Sequence, residues 1–307
     1  MRLFDLHCDT LGECLDHGGT LAQSPHAVSL AMRPESFAPW AQVFAVWIPE
    51  HLRGDAAWQY FVRAHVRFTR DAQDNAEVIA HVTAADQLAA AHETGRCAAI
   101  LAVENASVLG GDLRRVEALA RAGVRILTLT WNGENEAGFG ALANARAGLK
   151  PFGRALLREL AQCGIAADVS HLNEPGFWQA LDSDAQILAS HSGACAVFEH
   201  PRNLHDAQIR ALVQKDAPIG LTFAYPCRRF GRNARRDLRA LTRHAAHMLA
   251  LGAHDTLCLG TDFDGTPPPR GMSTFADLAQ LHTALTAQGM DADAIFYRNA
   301  LRWFARF

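Results

Sequence analysis

Short apolar runs rich in Val, Ile, Leu, Phe and Ala recur along the chain, each leading into a polar residue or loop and then into a helical stretch. They lie at Leu3–Cys8, 41–48, 98–103, 125–130, 165–170, 187–190, 217–223 and 256–260. A continuous apolar run of this length reads as a buried strand, and apolar residues three and four apart read as an amphipathic helix. The segments 152–163 (FGRALLRELAQC) and 238–251 are of the second kind. Alternating strands and helices imply parallel strands covered by helices. Eight such units, with no glycine-rich phosphate fingerprint after the first, predict a closed (β/α)8 barrel rather than a doubly wound sheet. The region 51–95 carries two helical patterns instead of one and is expected to be an elaborated connection. With no repeat or low-complexity tract, residues 1–307 are read as a single domain.

Composition narrows the function. The chain is 49 % hydrophobic and 20 % charged, the balance of a globular protein with a large core. Its formal net charge of −3 argues against nucleic acid or acidic lipid as a partner, since such capture neutralises many phosphates. A small substrate is expected instead. No apolar run approaches the roughly 18 residues of a membrane span, and the first strand starts so near Met1 that no room is left for a secretory signal. Seven scattered cysteines without a C-x-x-C pair read as free thiols, which predicts a cytoplasmic protein.

Barrel active sites lie at the C-terminal ends of the strands, and metal-capable residues fall there. His7 and Asp9 end the first run, Glu104 follows the third, His171 the fifth, His191 the sixth and Asp262 the eighth. Any one of the 15 histidines could be an ordinary surface residue, whereas six polar groups ending apolar runs would converge on one mouth. The two-residue spacing of His7 and Asp9 puts both on one face of a strand while Cys8 points away. Glu104 could offer one oxygen to each of two metals. Some barrel hydrolases use a carbamylated lysine there, but the only lysines, Lys150 and Lys215, follow no strand. His171 and His191 would complete the second metal. An oxygen and nitrogen donor set suits zinc, with manganese or iron as weaker alternatives.

These residues sit in the strings FDLHCDTL, VENA (103–106), LTLTWN (127–132), ADVSHL (167–172), ASHSGA (189–194), PRN (201–203) and GTDFDG (260–265). In order and coverage the chain resembles the membrane dipeptidase (renal dipeptidase) family of zinc peptidases, as a soluble bacterial-type member. The resemblance implies two Zn2+ per chain, with His7, Asp9 and Glu104 on one and Glu104, His171 and His191 on the other. It also implies that Arg202 grips the substrate carboxylate, that Tyr225 lies near that carboxylate, and that Asp262 stands beside the metal-bound water. Two metals about 3.5–4 Å apart would share a hydroxide near neutral pH, with Asp262 as proton acceptor and then donor. The expected reaction is amide hydrolysis of small dipeptides, with a D-residue accepted at the C-terminal position in some members. A homodimer is the oligomer the family suggests.

One departure stands out. Better-known members carry a histidine after the fourth strand, where this chain has Trp131. Indole can donate one hydrogen bond but cannot exchange protons, so Trp131 or Asn132 is read either as a replacement donor or, for the tryptophan, as rim packing. This keeps open a related two-zinc amidohydrolase acting on an N-acyl amino acid or a cyclic amide. A non-catalytic binding barrel is disfavoured by the complete ligand set. The Gly- and Ala-rich loop 132–148 is read as either a mobile lid or a rigid irregular loop, and the proline run 267–269 as a rigid rim. The arginine-rich segment 228–243 reads as a solvated face, with Arg228 or Arg229 as candidates for favouring acidic dipeptides.

Overall fold

The computed structural model describes residues 1–143, 146–224 and 234–307, and for 234–236 the backbone alone. Tyr225, Arg228 and Arg229, and with them the expectations attached to those residues, lie outside the described residues.

In chain order the strands are β1 (Leu3–Cys8), β2 (Trp40–Trp47), β3 (Ile79–His81), β4 (Cys97–Glu104), β5 (Val124–Thr128), β6 (Ala166–Asp168), β7 (Ile187–Ser192), β8 (Ile219–Leu221) and β9 (Leu257–Leu259). All pair in parallel. Following the pairing from β1 through β9, β8, β7, β6, β5 and β4 to β2 returns to β1, so eight strands close into the expected barrel. The short β3 is the exception. It adds to the first residues of β4, on the edge whose later residues pair with β5. It falls inside the elaborated connection, between the two helices foreseen there, α2 (Gly54–Asp74) and α3 (Ala85–Glu93), which follow α1 (Thr10–His17).

The outer layer continues with α4 (Arg114–Arg121), α5 (Pro151–Cys163), α6 (Glu174–Leu181), α7 (Asp206–Gln214), α8 (Ala234–Ala250), α9 (Leu278–Thr286) and α10 (Asn299–Phe304). Helix α5 illustrates the local logic. Proline starts it, where a missing N–H costs nothing, and Gly164 ends it at φ 65°, a left-handed turn that favours glycine.

Two apolar layers follow from the strands' period of two. One side chain in two faces the barrel interior: Phe4 and Leu6, Val43 and Ala45, Ile100 and Ala102, then Ile126, Ala166, Leu188 and Cys258. Tyr297, Ala300, Trp303 and Phe304 join that layer from α10 and the turn before it, closing the end of the barrel away from the site. The alternate residues, among them Phe44, Leu101, Leu127 and Leu259, pack outward against helices. Glycine is required where layers touch. A Cβ on Gly220 or Gly260 would run into the backbone oxygen of Ser190.

Candidate metal centre

Strict alternation would misplace two of the ligand candidates. With Phe4 and Leu6 facing inward, His7 should face out, and with Leu188 inward, so should His191. In both strands the register shifts at that point, between Asp5 and Cys8 in β1 and between Ala189 and Ser192 in β7. Such irregularities re-aim side chains and recur beside active sites. Here they turn both imidazoles inward, while Cys8 joins the outer core as expected. Glu104 needs no such device, because it ends β4 in phase with Ile100 and Ala102.

The six strand-end residues converge. Nε2 of His7 lies 3.5 Å from Asp9 Oδ2, 3.5 Å from Glu104 Oε2 and 3.9 Å from Asp262 Oδ1. The other oxygen of Glu104, Oε1, lies 2.8 Å from Nε2 of His171 and 3.9 Å from Nε2 of His191. Two groups of donor atoms within 4.8 Å of one another stand out among the described residues: His7, Glu104 and His191, and His7, Asp9 and Asp262. Asp262 thus sits within reach of the same point as His7 and Asp9. It holds that position in a left-handed conformation, φ 63°, on a turn whose Gly265 and Thr266 amides donate to its carbonyl. Asp264, also left-handed, anchors the turn by accepting from Thr10 Oγ1 at 2.5 Å and from the Ala27 amide at 3.0 Å.

The donor set fits cations. His7 Nε2 and Asp9 Oδ1 are buried with no hydrogen-bond partner among the described residues, an arrangement that costs free energy unless something satisfies them. Nε2 of His171 and Nε2 of His191 face each other across 2.8 Å. Burial, then the charges of His7 and His171, push His191 well below the ordinary histidine range. Burial, then the Arg202 charge, push His171 down to about 4, while Glu104, against its burial, is held below the ordinary carboxylate range by His171 and His7 beside it. Neutral imidazoles offer the lone pair a metal needs. Burial raises Asp262 well above the ordinary carboxylate range, reinforced by the Asp9 and Glu104 charges. Burial works against a charge on His7, but the nearby carboxylates of Asp9 and Glu104 outweigh it and raise that group.

Above these atoms opens a cavity of about 380 Å³, with Trp131, Asn132 and Arg202 in its wall. The wall also contains residues that sequence patterns did not single out: Glu13 and Asp16 of α1, Tyr60 of α2, and Trp47 at the end of β2. Tyr60 donates to Asp16 at 2.9 Å. These four belong to elements whose approach to the mouth is set by packing, and no spacing in the sequence signals it. The Trp131 ring meets Trp47 edge-on at 5.2 Å and stacks by His171 at 6.1 Å. Asn132 turns Oδ1 to His171 Nδ1 at 3.1 Å. The described part of loop 132–148 is pinned, with the Asn135 side chain bonded to Asn105 and to the Leu129 carbonyl and the Ala141 amide to the His171 carbonyl. Of the two readings of that loop, the rigid one fits these bonds.

The sequence profile described as membrane dipeptidase (Peptidase family M19) matches residues 1–306. An uncharacterized protein in the pqqA 5′ region of Klebsiella pneumoniae is 32 % identical over 214 residues, 65 % of this chain and 78 % of that protein. Dipeptidase tcpJ of Claviceps purpurea is 29 % identical over 215 residues, 69 % of this chain, but the match spans only 50 % of that longer protein. Two solved structures share the fold. A metallo peptidase from Rhodobacter sphaeroides, liganded with a phosphinate mimic of the dipeptide L-Ala-D-Ala, superposes with a TM-score of 0.90 at 24 % identity, covering 100 % of this chain and 99 % of its own. The probable dipeptidase PvdM from Pseudomonas aeruginosa gives a TM-score of 0.82 at 18 % identity, covering 99 % and 94 %. No described helix is long and apolar enough to cross a membrane. With its barrel, its convergent strand-end donor groups and a profile match along nearly its whole length, the chain belongs to the membrane dipeptidase family.

Proposed function

We propose that this chain is a metal-dependent dipeptidase that hydrolyses the amide bond of small dipeptides with two zinc ions. The observation that carries the reading is the split of Glu104, one oxygen toward His7 and the other toward His171. A carboxylate so placed could serve two cations at once, with His7 beside one oxygen and His171 and His191 beside the other, and with Asp9 reaching the first through its place beside His7. Bound zinc would supply Lewis acidity toward the scissile carbonyl and a nucleophile at neutral pH.

The chain's own residues do the rest. Arg202, buried in the cavity wall, would hold the substrate carboxylate through two parallel hydrogen bonds. Asp262 stands at the mouth among the ligand carboxylates, placed to accept a proton and return it to the leaving amine. Trp131 and Trp47 would press the substrate from one side and exclude water. The dipeptide mimic bound by the Rhodobacter protein supports the substrate class, and a D-residue at the C-terminal position is part of the reading. The six described cysteines, all free thiols, support a cytoplasmic setting.

The test is metal content by plasma emission on the purified chain, with the same sample assayed against L,L and L,D dipeptides and their N-acetylated forms. About two zinc per chain with release of free amino acids is the expected result. Two zinc with turnover of the N-acetylated forms alone would replace the substrate class, and absence of metal would overturn the reading.

A further inference from the structure

Beneath the ligand histidines lies a buried carboxylate that contacts neither His171 nor His191 directly. Asp168 ends β6, facing the interior in phase with Ala166. Its Oδ1 accepts from the Ser170 amide at 3.0 Å, the Ser170 hydroxyl at 2.6 Å and the Ser190 amide at 2.9 Å. Its Oδ2 accepts from the Thr128 hydroxyl at 2.7 Å and the Ser190 hydroxyl at 2.7 Å. A carboxylate approached by donors on both oxygens acts as an acceptor throughout.

The consequence passes through Ser190. A serine hydroxyl has one hydrogen. Given to Asp168, it leaves Oγ able only to accept, and the atom on its other side is Nδ1 of His191 at 2.8 Å. Ser170 Oγ also lies 3.2 Å from Ser190 Oγ, but each hydroxyl has a carboxylate oxygen of Asp168 much nearer, at 2.6 and 2.7 Å, to take its hydrogen, and Ser170 Oγ accepts from the His191 amide at 3.0 Å. The His191 proton therefore sits on Nδ1, and Nε2 turns a lone pair toward Nε2 of His171. The contrast with His171 is informative, because its Nδ1 faces the neutral amide of Asn132, which can present either end by rotation.

We propose that Asp168 and Ser190 are positioning residues: a carboxylate–serine relay that locks His191 in its Nδ1–H tautomer and so makes Nε2 a committed metal donor. Outer partners of metal-bound histidines orient the ring and raise its basicity, and their loss typically costs about 10- to 100-fold in metal affinity. The importance of the relay rests on the zinc reading above, but the tautomer itself does not.

The experiment separates the two. In metal-free wild-type protein labelled with 15N-histidine, two-bond N–H correlation spectra should show His191 protonated at Nδ1; protonation at Nε2 overturns the proposal. In Asp168→Asn the new amide can donate to Ser190, whose hydrogen then turns to His191, so the spectrum should shift toward Nε2–H. Zinc affinity, read by competition with a chromophoric chelator, should fall about 10- to 100-fold in Asp168→Asn and in Ser190→Ala. Thr128→Val removes a donor to Asp168 outside the relay and should lower the thermal midpoint while leaving zinc affinity unchanged. Equal zinc loss in Thr128→Val and Ser190→Ala would make Asp168 a packing residue only and overturn the relay. Wild-type protein with His191 in the Nδ1–H form and no zinc uptake would confirm the relay and refute the dipeptidase reading.

Discussion

The Oδ2 of Asp9 occupies space that a Cβ on Gly265 would fill, with Oδ1 of Asp262 close beside it. Both atoms end flexible side chains, so Gly265→Ala should shift the carboxylates rather than the fold. The expected outcome is a thermal midpoint close to wild type with zinc affinity lower by about tenfold or more. Chelator competition and a melting curve on the same sample check it. Unchanged affinity would mean that Asp9 holds no metal.

Asp262→Asn removes a proton acceptor and keeps its shape. Zinc content should stay at the wild-type level while kcat falls by about 10²–10⁴. Near-normal turnover would take the proton-carrying role away from Asp262.

Arg202→Lys keeps the charge but loses the planar pair of donors. Losing one charge-assisted hydrogen bond costs ~1.5–3 kcal/mol, which predicts a drop of about 10- to 100-fold in kcat/KM, mainly in KM. Steady-state kinetics on a dipeptide and on its C-terminal amide decide the matter. If both substrates lose equally, Arg202 is not the carboxylate anchor.

At the far end of the barrel, Asp216 accepts from both terminal nitrogens of Arg302 at 2.6 Å and bonds Arg306 as well. The Arg302 hydrogen bond, outweighing burial, holds its carboxyl below the ordinary value. A depressed folded pKa means stability that is present above the unfolded value and lost as pH falls through the folded one. The bridge is partly exposed, so the effect is about 0–1 kcal/mol. Asparagine tolerates the left-handed φ of 51° found here. The melting-point gap between wild type and Asp216→Asn should therefore be largest at neutral pH and close below about pH 4. A gap that stayed constant from pH 7 to 3 would assign it to packing.

Much of the site was legible because barrel chemistry sits where apolar runs end. Glu104 is the clearest case, terminating β4 in phase with the interior. Elsewhere the alternation rule led to residues that do converge, but for an incomplete reason. His7 and His191 turn toward Glu104 only because β1 and β7 slip register, and a two-residue period carries no sign of that slip. The carboxylate of Asp168 was visible as a charge inside an apolar run in ADVSHL, yet its donors come from three separate strand ends, so its role needed all of them in place. Short β3 was passed over because three residues between two helical patterns have no periodicity to read.

By itself, then, the sequence determined the barrel class, the mouth at which polar groups gather and the donor types that suit zinc, because these follow from local pattern and residue chemistry. Only the tertiary structure decided which oxygen of Glu104 faces which imidazole, that α1 and α2 bring Glu13, Asp16 and Tyr60 to the cavity, and that Ser190 stands between Asp168 and His191. Such relationships depend on distances between strands far apart in the chain, set by closure of the sheet and the packing of its layers, to which no local pattern is sensitive.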